Sequence, residues 1–167
     1  KYYQHDPKDN ETDIINRLFN DDIFVNFSSG KISAKQVYNS LVSQYQLKMG
    51  FDKFTREWCN IFFPMDGMES LVREIAARYA IGLLSDTDPL HWNYCLNTFH
   101  FLRLFKKPTL SYEVGALKPE AICYLTAAEN IRRPAKSCLF IDDREINVIG
   151  ALNVGMRALL FKGVDNL

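Results

Sequence analysis

Three elements in the second half of the chain carry side chains that could handle a phosphoryl group. Ser85 follows the apolar run of "AIGLLSDTDP", Lys118 lies in "VGALKPE", and Asp142 and Asp143 follow the apolar run of "CLFIDDRE". A serine hydroxyl together with backbone N–H groups at a helix start binds phosphate, and a lysine offsets its charge. Paired carboxylates hold Mg²⁺, which prefers hard oxygen ligands. Together the three elements predict a phosphate site with a magnesium ion.

The elements that position these side chains alternate between strand and helix from residue 80 onward. Strands are predicted at 80–85, 109–114, 137–142 and 157–161, with helices between them. This alternation is typical of an α/β fold with a parallel sheet. The continuous apolar runs before Ser85 and Asp142 indicate strands buried on both faces. Ligands bind at the carboxyl ends of parallel strands, and Lys118 precedes a helix predicted to start at Pro119. We therefore expect the three elements to converge.

The first half of the chain has the pattern of a separate helical lobe. Apolar residues at 14–19 form one face of a helix, and a second helix begins with a capping box of Ser33 and Gln36. The pattern changes from helical to alternating near residue 80. We therefore divide the chain into a helical lobe, 1–72, and an α/β core, 73–167.

Composition limits the functional classes. Lys plus Arg and Asp plus Glu both number 20, so no overall field favours nucleic acid or a membrane surface. Hydrophobic residues make up 47% of the chain, enough for a packed core. No apolar run approaches the roughly 18 residues of a membrane span. The cysteines show no metal-ligand spacing and are expected to be reduced thiols of a cytoplasmic protein; they are Cys59, Cys95, Cys123 and Cys138.

These residues carry a family resemblance. The second half resembles the haloacid dehalogenase-like hydrolases, in the branch with a small helical cap inserted after the first strand. Ser85 matches the second motif, Lys118 the third-motif lysine, and Asp142–Asp143 the acidic fourth motif. The helical first half, including "FVNFSSGKIS", is similar to the cap. The resemblance implies a Rossmann-like parallel sheet under an N-terminal helical cap.

The resemblance also implies an activity and a role for each motif residue. The implied protein is a Mg²⁺-dependent phosphatase of small phosphorylated metabolites, acting through an aspartyl-phosphate while the cap excludes water. The implied site consists of Ser85, Asp86 and Thr87 for the phosphoryl oxygens, Lys118 for orienting the nucleophile, and Asp143, with Asp142 behind it, for Mg²⁺.

The family's first motif, a strand that ends in D-x-D and supplies the nucleophile, has no match in the sequence. "HDPKDNETD" lacks a preceding apolar strand, and the D-x-D of "SDTDP" aligns with the second motif. We therefore expect the nucleophilic aspartate to lie outside the 167 residues. The same motif supplies a central strand in the family, so strands 80–85 and 137–142 are expected to lie about 9–10 Å apart, twice the usual spacing.

The segment after Ser85 departs from the family, whose members often read S-N-T-N-P. Two asparagines are replaced by Asp86 and Asp88, which we expect to place two carboxyl groups beside the phosphate site. His91 follows, and it either contacts substrate or packs at the start of a helix.

Two other functions are compatible with part of this pattern. A non-catalytic module of the same fold, which binds a phosphorylated ligand or a partner protein, is favoured by the absent D-x-D. A response-regulator receiver domain also uses acids and a lysine. It places its acid pair early and its lysine late, whereas Lys118 here precedes Asp142, so this alternative is rejected.

Overall fold

The structure is a computed structural model that describes residues 22–164. The helical lobe contains four helices: α1 (Asp22–Ser28), α2 (Ala34–Tyr45), α3 (Phe51–Cys59) and α4 (Met68–Arg78). The predicted helix around 14–19 lies outside the described residues. The predicted domain boundary at residue 72 falls within α4, and the division into two domains stays a prediction.

Local sequence explains the start of α2. The Ser33 hydroxyl accepts a hydrogen bond from the Gln36 amide at 3.4 Å, and the Gln36 side chain accepts one from the Ser33 amide at 2.8 Å. This confirms the predicted capping box. The inward residues Val37 and Leu41 are buried with Phe27 of α1 and Phe54 of α3. Burying this apolar face against its neighbours stabilises helices that are marginal alone.

The second unit alternates strands and helices as predicted. Its elements are β1 (Leu84–Ser85), α5 (Pro89–Thr98), a 3₁₀ turn (His100–Leu104), β2 (Thr109–Leu110), α6 (Ser111–Val114), α7 (Ala121–Asn130), a 3₁₀ turn (Ala135–Ser137), β3 (Leu139–Asp142), α8 (Glu145–Asn153) and β4 (Arg157–Leu160). The α/β fold class is confirmed. Among the described residues, no helix is both long and apolar enough to cross a membrane.

The strands pair in two parallel ladders. β1 pairs with β2, so that Ser85 lies opposite Leu110. β3 pairs with β4, so that Asp142 lies opposite Leu160. Within residues 22–164 no ladder joins one pair of strands to the other. The strand that the resemblance implies between β1 and β3 stays a prediction.

The core of the α/β unit lies between the β3–β4 pair and the helices α7 and α8. Tyr124 and Cys123 of α7 are fully buried with Ala151 of α8, and Phe140 of β3 packs against them. The Tyr124 hydroxyl donates to the Asn147 carbonyl oxygen at 2.9 Å. Burial raises the pKa of the Cys123 thiol to about 11, which keeps it protonated and unreactive near neutral pH.

Two local predictions were wrong. The strand predicted at 109–114 ends at Leu110, because the chain turns into α6, which stops at Gly115 with a positive φ of 81°. The helix predicted to start at Pro119 starts at Ala121, after a turn in which the Glu120 amide donates to the Leu117 carbonyl oxygen.

The strands are also less buried than predicted. Leu139 of β3 is 53% exposed and Leu159 of β4 is 39% exposed, although both belong to continuous apolar runs. The reason is that each ladder has only two strands among the described residues. An apolar run shows that a strand can be buried on both faces, whereas the burial it reaches depends on the strands and helices that cover it.

Candidate active site

The loop that follows β1 forms the first part of the candidate site. Ser85 ends β1 and is half-buried. The Thr87 amide donates to the Ser111 hydroxyl at 2.9 Å, and that hydroxyl donates back to the Thr87 carbonyl oxygen at 3.0 Å. Ser111 is fully buried at the start of α6. The backbone of this loop is therefore held from the neighbouring strand.

Lys118 connects this loop to the end of β3. Its backbone amide donates to Asp86 Oδ1 at 3.0 Å, and its ammonium group donates to Asp142 Oδ2 at 2.7 Å. The Lys118 and Asp142 side chains are only 11% and 8% exposed. The structure thus brings the loop after Ser85, Lys118 and Asp142 together, as the sequence predicted.

Asp142 is held by three donors. Besides the Lys118 ammonium, the Arg144 amide and the Asn147 side-chain amide each donate to Asp142 Oδ1 at 2.9 Å. Burial by itself raises the pKa of Asp142, but the hydrogen bonds outweigh burial and leave the pKa below its ordinary value. Asp142 is therefore an ionised carboxylate that fixes the position of Lys118.

The pKa of Asp86 is shifted in the opposite direction to that of Asp142. Burial raises its pKa, and the hydrogen bond from the Lys118 amide and the charge of Lys118 offset this only in part. Asp142 adds a like charge that raises the pKa further. Asp86 accepts from the Lys118 amide, and its place beside a phosphate site stays a prediction.

Asp143 is the acidic residue of the pair whose carboxylate is available to bind a ligand. It is exposed, and no hydrogen bond or ion pair engages its side chain within the described part of the chain. No three His, Cys, Asp or Glu side chains of residues 22–164 cluster closely enough to form a metal site on their own. Mg²⁺ usually takes one or two carboxylates and completes its shell with water and substrate phosphate. One free carboxylate beside a Lys–Asp pair fits part of such a site.

Asp88 does not lie free beside the phosphate site, which corrects our expectation. It is fully buried and caps α5, where its Oδ1 accepts from the amides of Leu90 and His91 at 2.9 and 3.0 Å. Its Oδ2 accepts from Trp58 Nε1 at 3.1 Å and lies 2.7 Å from His91 Nδ1. Asp88 is therefore a structural residue that joins α3 of the lobe to α5 of the core.

His91 packs instead of reaching toward a substrate. Its ring stacks on Trp58 with centroids 5.4 Å apart and planes inclined by 8°, and Phe62 meets it edge-on. Its Nε2 lies 2.8 Å from the Trp58 carbonyl oxygen. Of the two roles considered for His91, the structure supports packing at the start of the helix.

Two residues of the site escaped the sequence analysis. Ser111 follows the short strand β2 directly, and a polar residue at the carboxyl end of a parallel strand could have been a signal. Asn147 lies in the first turns of α8, five residues after Asp142, and no motif marked it. Its side-chain oxygen is buried without a hydrogen-bond partner among the described residues.

The sequence matches the model of a known protein family. A model of haloacid dehalogenase-like hydrolases matches residues 32–155. The chain belongs to the haloacid dehalogenase-like hydrolase family. The residues assigned above to the second, third and fourth motifs of this family of hydrolases all lie within the matched range; they are Ser85, Lys118 and Asp142–Asp143.

Two curated relatives of this hydrolase are much longer proteins. The chain is 29% identical to flavin mononucleotide hydrolase 1 of Arabidopsis thaliana over 104 residues, which cover 62% of the chain and 42% of that relative. It is 21% identical to drimenol cyclase of Aspergillus calidoustus over 158 residues, which cover 92% of the chain and 30% of that relative. The aligned part thus spans less than half the length of either relative.

Solved structures share the fold of this hydrolase. A haloacid dehalogenase family enzyme from Bacteroides thetaiotaomicron, in complex with magnesium and inorganic phosphate, aligns with a TM-score of 0.80 and 23% identity, over 92% of the chain and 81% of that protein. A predicted hydrolase of the family from Porphyromonas gingivalis aligns with a TM-score of 0.75 and 20% identity, over 92% of the chain and 78% of that protein. These likenesses concern the fold alone.

Proposed function

We propose that the protein is a phosphatase of small phosphorylated metabolites that requires Mg²⁺. The observation that carries the proposal is Lys118, whose ammonium is fixed by Asp142 at 2.7 Å while its amide holds Asp86 at 3.0 Å. A nearly buried ammonium fixed at the carboxyl end of β3 is suited to a group whose negative charge grows during transfer. The similarity to a flavin mononucleotide hydrolase supports a phosphate ester as the substrate.

Each residue has a role in this proposal. The Ser85 hydroxyl and the backbone around Asp86 and Thr87 hold the phosphoryl oxygens. Lys118 orients the attacking carboxylate and offsets charge in the transition state. Asp142 holds the Lys118 ammonium in place through the 2.7 Å hydrogen bond.

Asp143 is the proposed ligand of Mg²⁺, with Asp142 behind it. When bound, Mg²⁺ supplies positive charge that neutralises phosphate oxygens. The exposure of Asp143 and the full engagement of Asp142 support this division of roles. The helical lobe would cover the site and exclude water during transfer.

We further propose that the nucleophile is an aspartate outside the 167 residues, which forms an aspartyl-phosphate that water then hydrolyses. Two features support this. The sequence has no D-x-D after an apolar strand other than the second-motif match at 85–89. In addition, no ladder joins β1 to β3 within residues 22–164, as expected if a further strand lies between them.

The test compares the 167-residue chain with a form extended upstream along its gene. Both are assayed with a generic aryl phosphate and with flavin mononucleotide, with Mg²⁺ and with a chelator. We expect turnover only in the extended form and only with Mg²⁺, because the shorter chain lacks the covalent acceptor. Asp143→Asn should abolish the activity of the extended form, whereas Asp66→Asn, at an exposed acid of the lobe, should not.

The outcomes separate the proposal from its alternative. Turnover by the 167-residue chain that survives repurification would contradict an external nucleophile. An extended form that binds inorganic phosphate but turns over neither ester would instead support a non-catalytic module for a phosphorylated ligand or a partner. The absent D-x-D is the observation that favours this second function.

A further inference from the structure

One buried hydroxyl group holds the backbone of the loop that follows β1. Ser111 Oγ accepts a hydrogen bond from the Thr87 amide at 2.9 Å and donates one to the Thr87 carbonyl oxygen at 3.0 Å. The last ladder pair of β1 and β2 joins Ser85 and Leu110. The Ser111 side chain thus continues the contact between the two elements beyond the end of the ladder.

The chemistry of this contact requires a hydroxyl group. A hydroxyl donates one hydrogen bond and accepts others, so a single atom can satisfy both the N–H and the C=O of one residue. Ser111 is fully buried, and water has little access to replace it. Loss of the hydroxyl would leave both backbone groups of Thr87 without their present partner, which favours movement of the loop.

The start of α6 also contacts the lobe. Gly30 lies against the carbonyl group of Tyr112, so closely that a Cβ atom at residue 30 would overlap the Tyr112 carbonyl oxygen. Gly30 has a positive φ of 71°, which favours glycine. Neighbouring residues of α6 therefore contact the β1 loop through Ser111 and the lobe through Tyr112.

We propose that Ser111 is a positioning residue of the phosphate site. It sets the place of Ser85, Asp86 and Thr87 relative to Lys118 by fixing the backbone of Thr87. Its own side chain does not reach the substrate, because both of its hydrogen bonds are used within the protein. The inference rests on the proposed function, since it assigns Ser111 to the phosphate-binding part of that site.

The test uses Ser111→Ala and Ser111→Thr in the extended form. We expect Ser111→Ala to raise KM for the aryl phosphate, and Kd for inorganic phosphate, by about tenfold to a hundredfold, as misplaced binding groups typically do. Ser111→Thr, which keeps the hydroxyl, should stay near the wild-type values. Ser33→Ala is the matched control, because it also removes a serine hydroxyl bonded to a backbone amide, in the exposed cap of α2.

Amide hydrogen exchange supplies a readout that does not depend on activity. The Thr87 amide should exchange faster in Ser111→Ala than in wild type and should be unaffected in Ser33→Ala. Should Ser111→Ala fail to fold, Ser111→Cys gives the same comparison, because a thiol is a weaker donor and acceptor in nearly the same volume.

The results distinguish failure of this inference from failure of the proposed function. Unchanged phosphate affinity and KM in a folded Ser111→Ala protein would overturn the positioning role, even if its melting temperature falls as much as that of Ser33→Ala. A wild-type protein that neither binds phosphate nor hydrolyses esters would overturn the proposed function. In that case the hydrogen exchange of Thr87 decides whether Ser111 holds the loop, and unchanged protection would overturn the contact itself.

Discussion

The two aspartates that replace the family's asparagines are expected to respond in opposite ways to the same substitution. Asp86 and Asp88 are two residues apart in "SDTDP". Asp86 is half-buried beside Lys118, whereas Asp88 is fully buried between α3 and α5. Replacing each by asparagine keeps the side-chain shape and removes one charge, so the difference between the variants reports on their surroundings.

Asp88→Asn is expected to destabilise the protein. Asp88 Oδ2 faces the Trp58 indole N–H and His91 Nδ1, and an amide NH₂ in its place would face two donor groups. If the side-chain amide of the Asp88→Asn variant flips so that its NH₂ group takes the place of Oδ1, the amides of Leu90 and His91 lose the acceptor that caps α5. Leaving the Trp58 indole N–H without its buried acceptor costs about 1–3 kcal/mol. At about 2–4 °C per kcal/mol for a protein of this size, the melting temperature should fall by about 2–12 °C.

Asp86→Asn is expected to stabilise the protein at neutral pH. Its pKa is raised mainly by burial, so the ionised carboxylate is disfavoured in the folded state. The amide oxygen can still accept from the Lys118 amide. A group with a raised folded-state pKa binds more protons in the folded state, so its contribution to stability falls as pH rises above the ordinary value of 3.8. The gain in the free energy of unfolding of Asp86→Asn over wild type should therefore be largest near neutral pH and decrease on acidification.

Thermal and urea unfolding of the two variants and the wild type, from neutral pH toward pH 4, would test this. Phosphate binding by calorimetry adds a functional measure, since removing the Asp86 charge should tighten anion binding while Asp88→Asn should leave the affinity of the folded protein similar. A stabilising Asp88→Asn, or an Asp86→Asn variant as unstable as Asp88→Asn, would refute the assignment of these two side chains.

Three further substitutions test the site and its support. Lys118→Ala should lower kcat of the extended form by a factor of about 10²–10³ and change KM less, because the ammonium acts on charge that develops in the transition state. An effect on KM alone in steady-state kinetics would make Lys118 a simple binding residue. Asp143→Asn should weaken Mg²⁺ binding in calorimetry with little change in melting temperature, since the side chain is exposed; unchanged affinity would transfer the ligand role to the preceding carboxylate. Gly30→Ala should destabilise the protein more than Gly155→Ala in urea unfolding. Both glycines have a positive φ, so both variants share a backbone strain of about 1–2 kcal/mol, but only residue 30 lies against the Tyr112 carbonyl, while residue 155 has open space. Equal unfolding midpoints would contradict the close approach of Gly30 to Tyr112.

The sequence by itself determined the class of fold and several of the residues that meet at the candidate site, but not Ser111 or Asn147. Alternating apolar runs and helices require a parallel sheet, and a parallel sheet brings the ends of its strands to one edge. For this reason the sequence alone predicts that Ser85, Lys118 and Asp142 lie close together. The capping box of Ser33 could be predicted because its hydrogen bonds span only three residues.

Only the tertiary structure decided what each polar side chain does. Asp86 and Asp88 look equivalent in the sequence, yet one accepts from the Lys118 amide and the other from the indole of Trp58, thirty residues away. Ser111 reaches Thr87 across twenty-four residues. Hydrogen bonds over such separations, and the burial that shifts the pKa values of Asp86 and Asp142 in opposite directions, depend on how elements pack. Local sequence patterns specify the elements, but the environment of a buried charge exists only once those elements have come together.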